Sequence, residues 1–213
     1  MKQRKTIFID FDGTIINIDC RQYKIYQDVL DLRNIEDKLS KLSYLSFRRG
    51  GLSFSGLLEV HHGINDRNII EKLYIEMAET PSYLSNDYIF PNVRTTLGEL
   101  SSKYNLVLVS LRRKELNFTE QLVDLGIIKY FDQVLCVKGG GWSEKSSAIV
   151  GSDLFFPEHS YLVGDTEIDV LCAREAKIIS IAIDTGLRSS LFLERYCPNY
   201  LINNFYELKK IIN

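Results

Sequence analysis

Four aspartates of this sequence have the type and spacing to form a reactive site together. Asp10 and Asp12 are separated by one residue in the run Asp10-Phe-Asp-Gly-Thr14. Asp165 and Asp169 lie one helical turn apart, far along the chain. Carboxylates that meet repel one another, and a hard cation such as Mg²⁺, which prefers oxygen ligands, relieves that repulsion. The pattern predicts a magnesium site in which Asp10 and Asp165 bind directly, with Asp12 and Asp169 as further candidate ligands.

Groups that could hold an anion lie between these carboxylates. Ser110 offers a hydroxyl donor, and Lys145 offers a point charge at the start of a predicted helix. Both suit a phosphoryl group in transfer, because its spread negative charge needs donors and cations at fixed positions. Lys138 is the alternative to Lys145, which is preferred because it begins a helical pattern at a suitable distance before Asp165.

Three more residues are candidates for binding the substrate: Gly13, Thr14 and Arg112. Gly13 permits a tight turn through which backbone N–H groups can approach phosphate, and Thr14 follows it. Arg112 begins a basic run at a predicted helix start, where positive charge is poorly placed. That misfit predicts that Arg112 contacts an anionic substrate.

The elements that must position these residues alternate between strand and helix. The predicted strands are residues 5–11, 105–110, 133–137, 161–164 and 178–183, and the predicted helices are residues 93–103, 114–125, 143–150, 167–176 and 204–212. Strands that are apolar on both faces and alternate with helices predict a parallel sheet covered by helices, hence an α/β fold. Because ligands bind at the carboxyl ends of such strands, the polar residues that follow them are expected to converge there.

A long segment between the first strand and the rest has a different character. Apolar residues recur there at helical spacing, as in Tyr23, Tyr26 and Val29, and no strand pattern interrupts them. We predict a helical cap over residues 17–88, inserted into an α/β core made of residues 1–16 and 89–213. The segment Phe47-Arg-Arg-Gly-Gly51 is predicted to link two helices of this cap.

Composition narrows the class of protein. The chain has 213 residues, of which 45% are hydrophobic and 25% charged, and this is typical of a globular protein. The net charge of −2 gives no reason to expect nucleic acid or an anionic membrane as partner. No apolar run suits a membrane span or a signal peptide, and the four cysteines are too scattered for a disulfide framework or a zinc site. We expect a cytoplasmic monomer or homodimer.

The motifs together resemble those of a known superfamily. Asp10-Phe-Asp-Gly-Thr14, Ser110, Lys145 and Gly164-Asp-Thr-Glu-Ile-Asp169 are similar, in order and spacing, to the four motifs of the haloacid dehalogenase (HAD) superfamily. The insertion after the first motif resembles the helical cap of the phosphoglycolate phosphatase-like branch. Glycines 139–141 depart from the proline-containing context usual before the third motif. The resemblance implies a Rossmann-like α/β core with a mobile lid, a Mg²⁺ cofactor and a small phosphorylated metabolite as substrate.

The resemblance also implies roles for the two aspartates of the first motif. Asp10 would be the nucleophile and would form an aspartyl-phosphate intermediate. Asp12 would protonate the leaving oxygen and then act as base on the attacking water. Because dehalogenases and phosphonate-cleaving relatives lack an acid at the position of Asp12, the phosphatases and phosphomutases of the superfamily remain.

Two other functions stay open beside a phosphatase. A phosphomutase of the β-phosphoglucomutase type would share every motif found here, and a non-catalytic HAD-like protein would bind a phosphorylated ligand without cleaving it. The second is disfavoured because Asp10, Asp12 and Lys145 are all present. In the cap, Arg48 and Arg49 could contact a second anionic group of the substrate. His61 and His62 could bind a metal or lie at the surface.

Overall fold

A computed structural model describes residues 4–212. Residues 1–3 and 213, which belong to the predicted core, lie outside the described residues. In chain order the described strands are β1 (Thr6–Ile9), β2 (Ile16–Asn17), β3 (Tyr88–Ile89), β4 (Asn105–Ser110), β5 (Gln133–Cys136), β6 (Ser160–Gly164), β7 (Ile179–Ile183) and β8 (Tyr200–Ile202). The helices are α1 (Asp19–Leu32), α2 (Lys41–Arg49), α3 (Phe54–His62), α4 (Arg67–Ala78), α5 (Pro81–Leu84), α6 (Val93–Ser101), α7 (Glu115–Asp124), α8 (Trp142–Val150), α9 (Glu167–Glu175), α10 (Ser190–Leu193) and α11 (Leu208–Ile211). The fold is α/β, as the alternation of strands and helices predicts.

The described chain divides into two compact units. The first ends at Asn17 and resumes at Tyr88, and the second is Ile18–Asp87. Within the first unit, β2 and β3 form a short antiparallel ladder in which Asn17 pairs with Tyr88. The chain therefore leaves and re-enters the first unit on paired residues.

A parallel sheet forms the centre of the first unit. Over the described residues it has six strands in the order β5-β4-β1-β6-β7-β8. The chain builds outward from β1 through β4 to β5, then crosses to β6 and builds outward the other way. The order therefore reverses beside β1, which is the point of such a sheet where ligands bind. Register places the ends of three strands together, because Ile9 pairs with both Leu108 and Val163.

Both faces of this sheet are covered. Ile7, Phe8 and Ile9 alternate between the faces of β1, and all three are fully buried. Phe8 packs in a cluster that includes Ile149 of α8 and Cys172 of α9. Burial on both faces explains why these strands are continuous apolar runs in the sequence.

The second unit has a hydrophobic core of its own. Side chains from α1 to α4 form it, among them Ile25, Tyr26, Tyr44, Leu58 and Ile70. None of the helices that the structure describes is both long and apolar enough to cross a membrane.

The predicted linker in the second unit is wrong in its bounds. Phe47 and both arginines lie in α2, and only Gly50–Ser53 connects to α3, where the Ser53 side chain accepts a hydrogen bond from the Gly56 N–H. Arg48 is buried because its guanidinium lies 6.0 Å from the ring centres of Phe54 and Tyr74. Arginine is a good helix former and glycine a poor one, so α2 continues through both arginines and ends before Gly50.

The last part of the chain also differs from its prediction. The three-residue strand β8 extends the sheet, and the predicted helix 204–212 divides into a 3₁₀ turn at Phe205–Glu207 followed by α11. A strand of three residues with one buried side chain is too short to show a periodic pattern.

Candidate active site

Asp10 directly follows β1 at the reversal of strand order. Its side chain is buried, and its N–H donates to the Val163 carbonyl at 2.9 Å, which holds the end of β1 against β6. Gly13 turns the chain with φ of +79°. The N–H groups of Gly13 and Thr14 donate within this turn, to the carbonyls of Ile16 and Phe11. The two backbone donors expected to approach phosphate are thus used inside the turn.

The glycine has a second consequence at Asp165, which follows β6. A Cβ at Gly13 would lie 2.2 Å from Asp165 Oδ2, a distance that no side chain tolerates. Gly13 therefore permits the first turn and the Asp165 carboxylate to lie against each other.

Three carboxylates from distant parts of the chain come together here. Oxygens of Asp10, Asp165 and Asp169 all lie within 4.8 Å of one another, and the three residues are buried. The Asp12 carboxylate lies outside this group.

Burial raises the pKa of Asp10 to about 7; Lys145 opposes the rise, and Asp169 and Asp12 add to it. Burial, followed by the nearby Asp10 charge, raises the pKa of Asp165 well above its usual range.

Lys145 of α8 is the cation of this cluster. It is 1% exposed, and its Nζ donates to Asp10 Oδ1 at 2.5 Å and to Asp169 Oδ1 at 2.6 Å. Burial by itself lowers the pKa of Lys145, but Asp10 and Asp169 outweigh it and raise the pKa above the usual value, so the ammonium stays charged. The alternative, Lys138, has a side chain that is 63% exposed and pairs with Glu115 at 3.2 Å.

Asp169 is held by the start of its own helix. Its Oδ2 accepts hydrogen bonds from the Thr166 N–H at 3.1 Å and from the Thr166 hydroxyl at 2.8 Å, so the two residues form a capping box. Gly164 makes this possible, because a Cβ there would lie 2.1 Å from Asp169 Cγ. One oxygen of Asp169 therefore caps α9 while the other accepts from Lys145.

Arg112 is held by a carboxylate of the first motif. It is 2% exposed, and its Nη2 donates to Asp12 Oδ1 at 2.6 Å. Its guanidinium carbon is 6.0 Å from the ring centres of Phe11 and Phe118. The positive charge before the start of α7 is thus compensated by the Asp12 carboxylate. Contact of Arg112 with a substrate stays a prediction. Ser110 ends β4 and is buried.

The histidines of the second unit contact aromatic side chains. His62 Nε2 lies 2.9 Å from the Tyr26 hydroxyl, and the His61 ring lies 4.2 Å from the Phe47 ring. Neither belongs to a metal-ligand group among the described residues. Both occupy the last turn of α3 and are half-buried.

One segment of the site was missed in the sequence: residues 184–189, between β7 and α10, which we call the β7 loop. Thr185 Oγ1 donates to the Gly13 carbonyl at 2.7 Å, and the Leu187 N–H donates to Asp165 Oδ2 at 2.6 Å. No motif marks these residues. The available signal was position, since they follow a strand that ends at the same edge of the sheet as β1 and β6.

The carboxylate cluster fits a hard divalent cation. Among residues 4–212, three buried carboxylates lie around the Lys145 ammonium group, so negative charge is in excess when all three are ionised. Asp165 Oδ1 is buried and, among the described residues, has no hydrogen-bond partner. A buried carboxylate oxygen without a partner is costly unless a cation binds it. Oxygen ligands of this kind suit Mg²⁺.

Comparisons with known proteins agree with this architecture. A family profile described as haloacid dehalogenase-like hydrolase matches residues 7–183. A pyrophosphatase, PpaX, of Oceanobacillus iheyensis is 21% identical, with 98% of this chain and 96% of the relative aligned. A phosphoglycolate phosphatase of Nitrosococcus oceani is 25% identical over 100% of this chain and 98% of its own. A solved haloacid dehalogenase-like hydrolase of Streptococcus pneumoniae superimposes with a TM-score of 0.81 at 19% identity, covering 100% of both chains.

Proposed function

This chain belongs to the haloacid dehalogenase-like hydrolase family and is a phosphohydrolase, and we propose that it hydrolyses a small phosphomonoester through a phosphorylated Asp10, with Mg²⁺ as cofactor. One observation carries the proposal. Asp10 lies at the reversal of strand order, its Oδ1 is held by a buried ammonium group, and two more buried carboxylates lie beside it. A carboxylate fixed in this way is an oriented nucleophile.

In the first step the Asp10 oxygen not held by Lys145 attacks phosphorus. A new oxygen–phosphorus bond forms, and the bond from phosphorus to the leaving oxygen breaks. Asp12 gives a proton to that oxygen, so the leaving group departs as an alcohol. The Ser110 hydroxyl donates to a phosphoryl oxygen, and the Lys145 charge offsets the negative charge of the transferring phosphoryl group.

In the second step a water molecule frees the enzyme. Asp12, now a carboxylate, takes a proton from the water, and the water oxygen attacks phosphorus. The bond between phosphorus and Asp10 breaks, which releases inorganic phosphate and restores the Asp10 carboxylate. Arg112 orients the base through its ion pair with Asp12 Oδ1.

Asp10 and Asp165 would hold the metal ion, and Asp169 would orient the ligands around it. A bound Mg²⁺ supplies positive charge that offsets the carboxylates and the transferring phosphoryl group. The support is the oxygen donor set and the Asp165 oxygen that no group among residues 4–212 satisfies.

Residues 17–88 would act as the cap that selects the leaving group, and residues 1–16 and 89–213 would form the catalytic core. The support is the division of the chain at Asn17 and Tyr88 and the separate core of the helical unit. The names of the relatives make phosphoglycolate and pyrophosphate the first compounds to test.

A screen of small phosphate esters tests the proposal. We expect release of inorganic phosphate from at least one compound with Mg²⁺, suppression by EDTA, and loss of turnover in Asp10→Asn. The exposed Asp124→Asn is the matched control and should turn over like the wild type. Isomerised sugar phosphate in place of free phosphate would identify a mutase. Unchanged turnover in Asp10→Asn would overturn the nucleophile, and ligand binding without turnover would indicate a non-catalytic protein.

A further inference from the structure

The two oxygens of the Asp165 carboxylate have different surroundings. Oδ2 accepts a hydrogen bond from the Leu187 N–H at 2.6 Å. Oδ1 is buried and has no partner among the residues that the structure describes. A carboxylate held on one oxygen presents the other in a fixed direction. Oδ1 is therefore the oxygen left for a cation.

Two glycines close off the space around the held oxygen. A Cβ at Gly186 would lie 2.1 Å from Asp165 Oδ2 and 2.6 Å from Gly13 Cα. A Cβ at Gly13 would lie 2.2 Å from the same oxygen. The carboxylate is thus packed against bare backbone of the first turn and of the β7 loop, and it has little room to rotate.

The β7 loop is itself tied to both neighbouring motifs. Thr185 Oγ1 donates to the Gly13 carbonyl at 2.7 Å, which joins the loop to the turn after β1. Arg188 donates to Glu167 through Nε at 2.8 Å and Nη2 at 3.0 Å, which joins the loop to the start of α9. Arg188 is 7% exposed, so water does not compete strongly for this pair. The loop is anchored on each side of Asp165.

We propose that the β7 loop positions Asp165 for the metal ion, with Oδ1 as the binding oxygen and with Thr185 and Gly186 as positioning residues. The proposal rests on the proposed function, because it takes Asp165 as a metal ligand. Mg²⁺ demands near-ideal octahedral geometry, so a displaced carboxylate binds it less well. Groups that orient metal ligands typically change affinity by about 10–100-fold when lost.

Isothermal titration of the whole chain with Mg²⁺, without substrate, is the decisive measurement. Thr185→Val removes the hydroxyl that donates to Gly13 and keeps the side-chain shape, and we expect Mg²⁺ to bind about tenfold more weakly. Thr185→Ser keeps the hydroxyl and should bind like the wild type. Gly186→Ala should weaken binding by about 10–100-fold. Gly140→Ala, where an added Cβ meets nothing within 4 Å, is the glycine control.

Unfolding temperatures measured in EDTA separate positioning from general stability. If Thr185→Val and Gly186→Ala bind Mg²⁺ within about twofold of the wild type, the loop does not position Asp165, whatever their stability. If Gly186→Ala does not fold, the Thr185→Val and Thr185→Ser pair decides. Asp165→Asn tests the premise, and wild-type Mg²⁺ affinity in that variant would overturn the metal site itself. If Asp165→Asn loses Mg²⁺ affinity while the loop variants keep it, the metal site stands and only the role of the loop is overturned.

Discussion

Lys145 keeps a full positive charge where almost no water reaches it. Its Nζ contacts Asp10 and Asp169, and removal of the ammonium would leave two buried carboxylates without compensation. Breaking a buried ion pair from one side costs about 3–5 kcal/mol. We therefore expect Lys145→Met to lower the free energy of unfolding by about that amount in urea titrations without metal, and to abolish turnover.

Lys138→Met is the matched control for that substitution. Lys138 and Glu115 are 63% and 62% exposed, and exposed pairs contribute about 0–1 kcal/mol. A loss of stability in Lys138→Met as large as that in Lys145→Met would contradict the account of the buried charge.

For single residues, the sequence predicts which residues belong to the site better than it predicts the partners of their side chains. Asp10, Lys145 and Asp165 could be selected because each has a type that suits phosphoryl chemistry and a place near the end of a strand or the start of a helix. The partner of Arg112 could not be foreseen, since Asp12 precedes it by a hundred positions and nothing local records the pairing. The free oxygen of Asp165 is likewise invisible in the sequence, because it depends on a backbone N–H of Leu187.

At the scale of elements, β6 ends at Gly164, a position where the start of α9 leaves no room for a side chain. A Cβ on Gly164 would lie 2.1 Å from Asp169 Cγ, and Asp169 cannot move away without losing its bonds to Thr166 and Lys145. We expect Gly164→Ala to destabilise the protein by about 2 kcal/mol or more and to lower turnover. Gly140→Ala should change the free energy of unfolding by less than about 0.5 kcal/mol. Equal unfolding midpoints for the two variants would contradict this packing.

Element type was predictable here because the physics is local. Strands buried on both faces must be apolar throughout, so β1, β4 and β6 could be recognised from the sequence. The strand order depends on long-range pairing, so the sequence predicted a parallel sheet but not the order of its strands. The short strand β8 has too few residues for a period, and the β7 loop carries no motif, so only its position after β7 marked it.

For the whole molecule, the buried carboxylates link stability to pH and to metal. The pKa of Asp10 is about 7 in the metal-free fold and about 3.9 in an unfolded chain. Between these values the native state binds a proton that the unfolded state has released, so the free energy of unfolding should fall as pH rises from about 4 to about 7. Urea titrations in EDTA at several pH values measure this, and the fall should be smaller in Asp10→Asn.

Mg²⁺ should reverse that loss at neutral pH. A ligand at a hundred times its dissociation constant stabilises the native state by about 2.7 kcal/mol. For a chain of this size that raises the unfolding temperature by about 5–10 °C. An unfolding temperature indifferent to Mg²⁺ at pH 7.5, or parallel pH curves for the wild type and Asp10→Asn, would contradict the linkage.

The small ladder between β2 and β3 brings the two ends of the helical segment close together. Asn17 and Tyr88 face each other across an antiparallel pair, so their Cα atoms are about 4.5–5.5 Å apart. A hairpin turn of two residues bridges such a gap. Everything between these residues could therefore be excised, or exchanged for the corresponding segment of a relative, without stretching the backbone on either side. The same geometry offers protein engineers a graft point at which the helical segment of a relative can be joined to the parallel sheet.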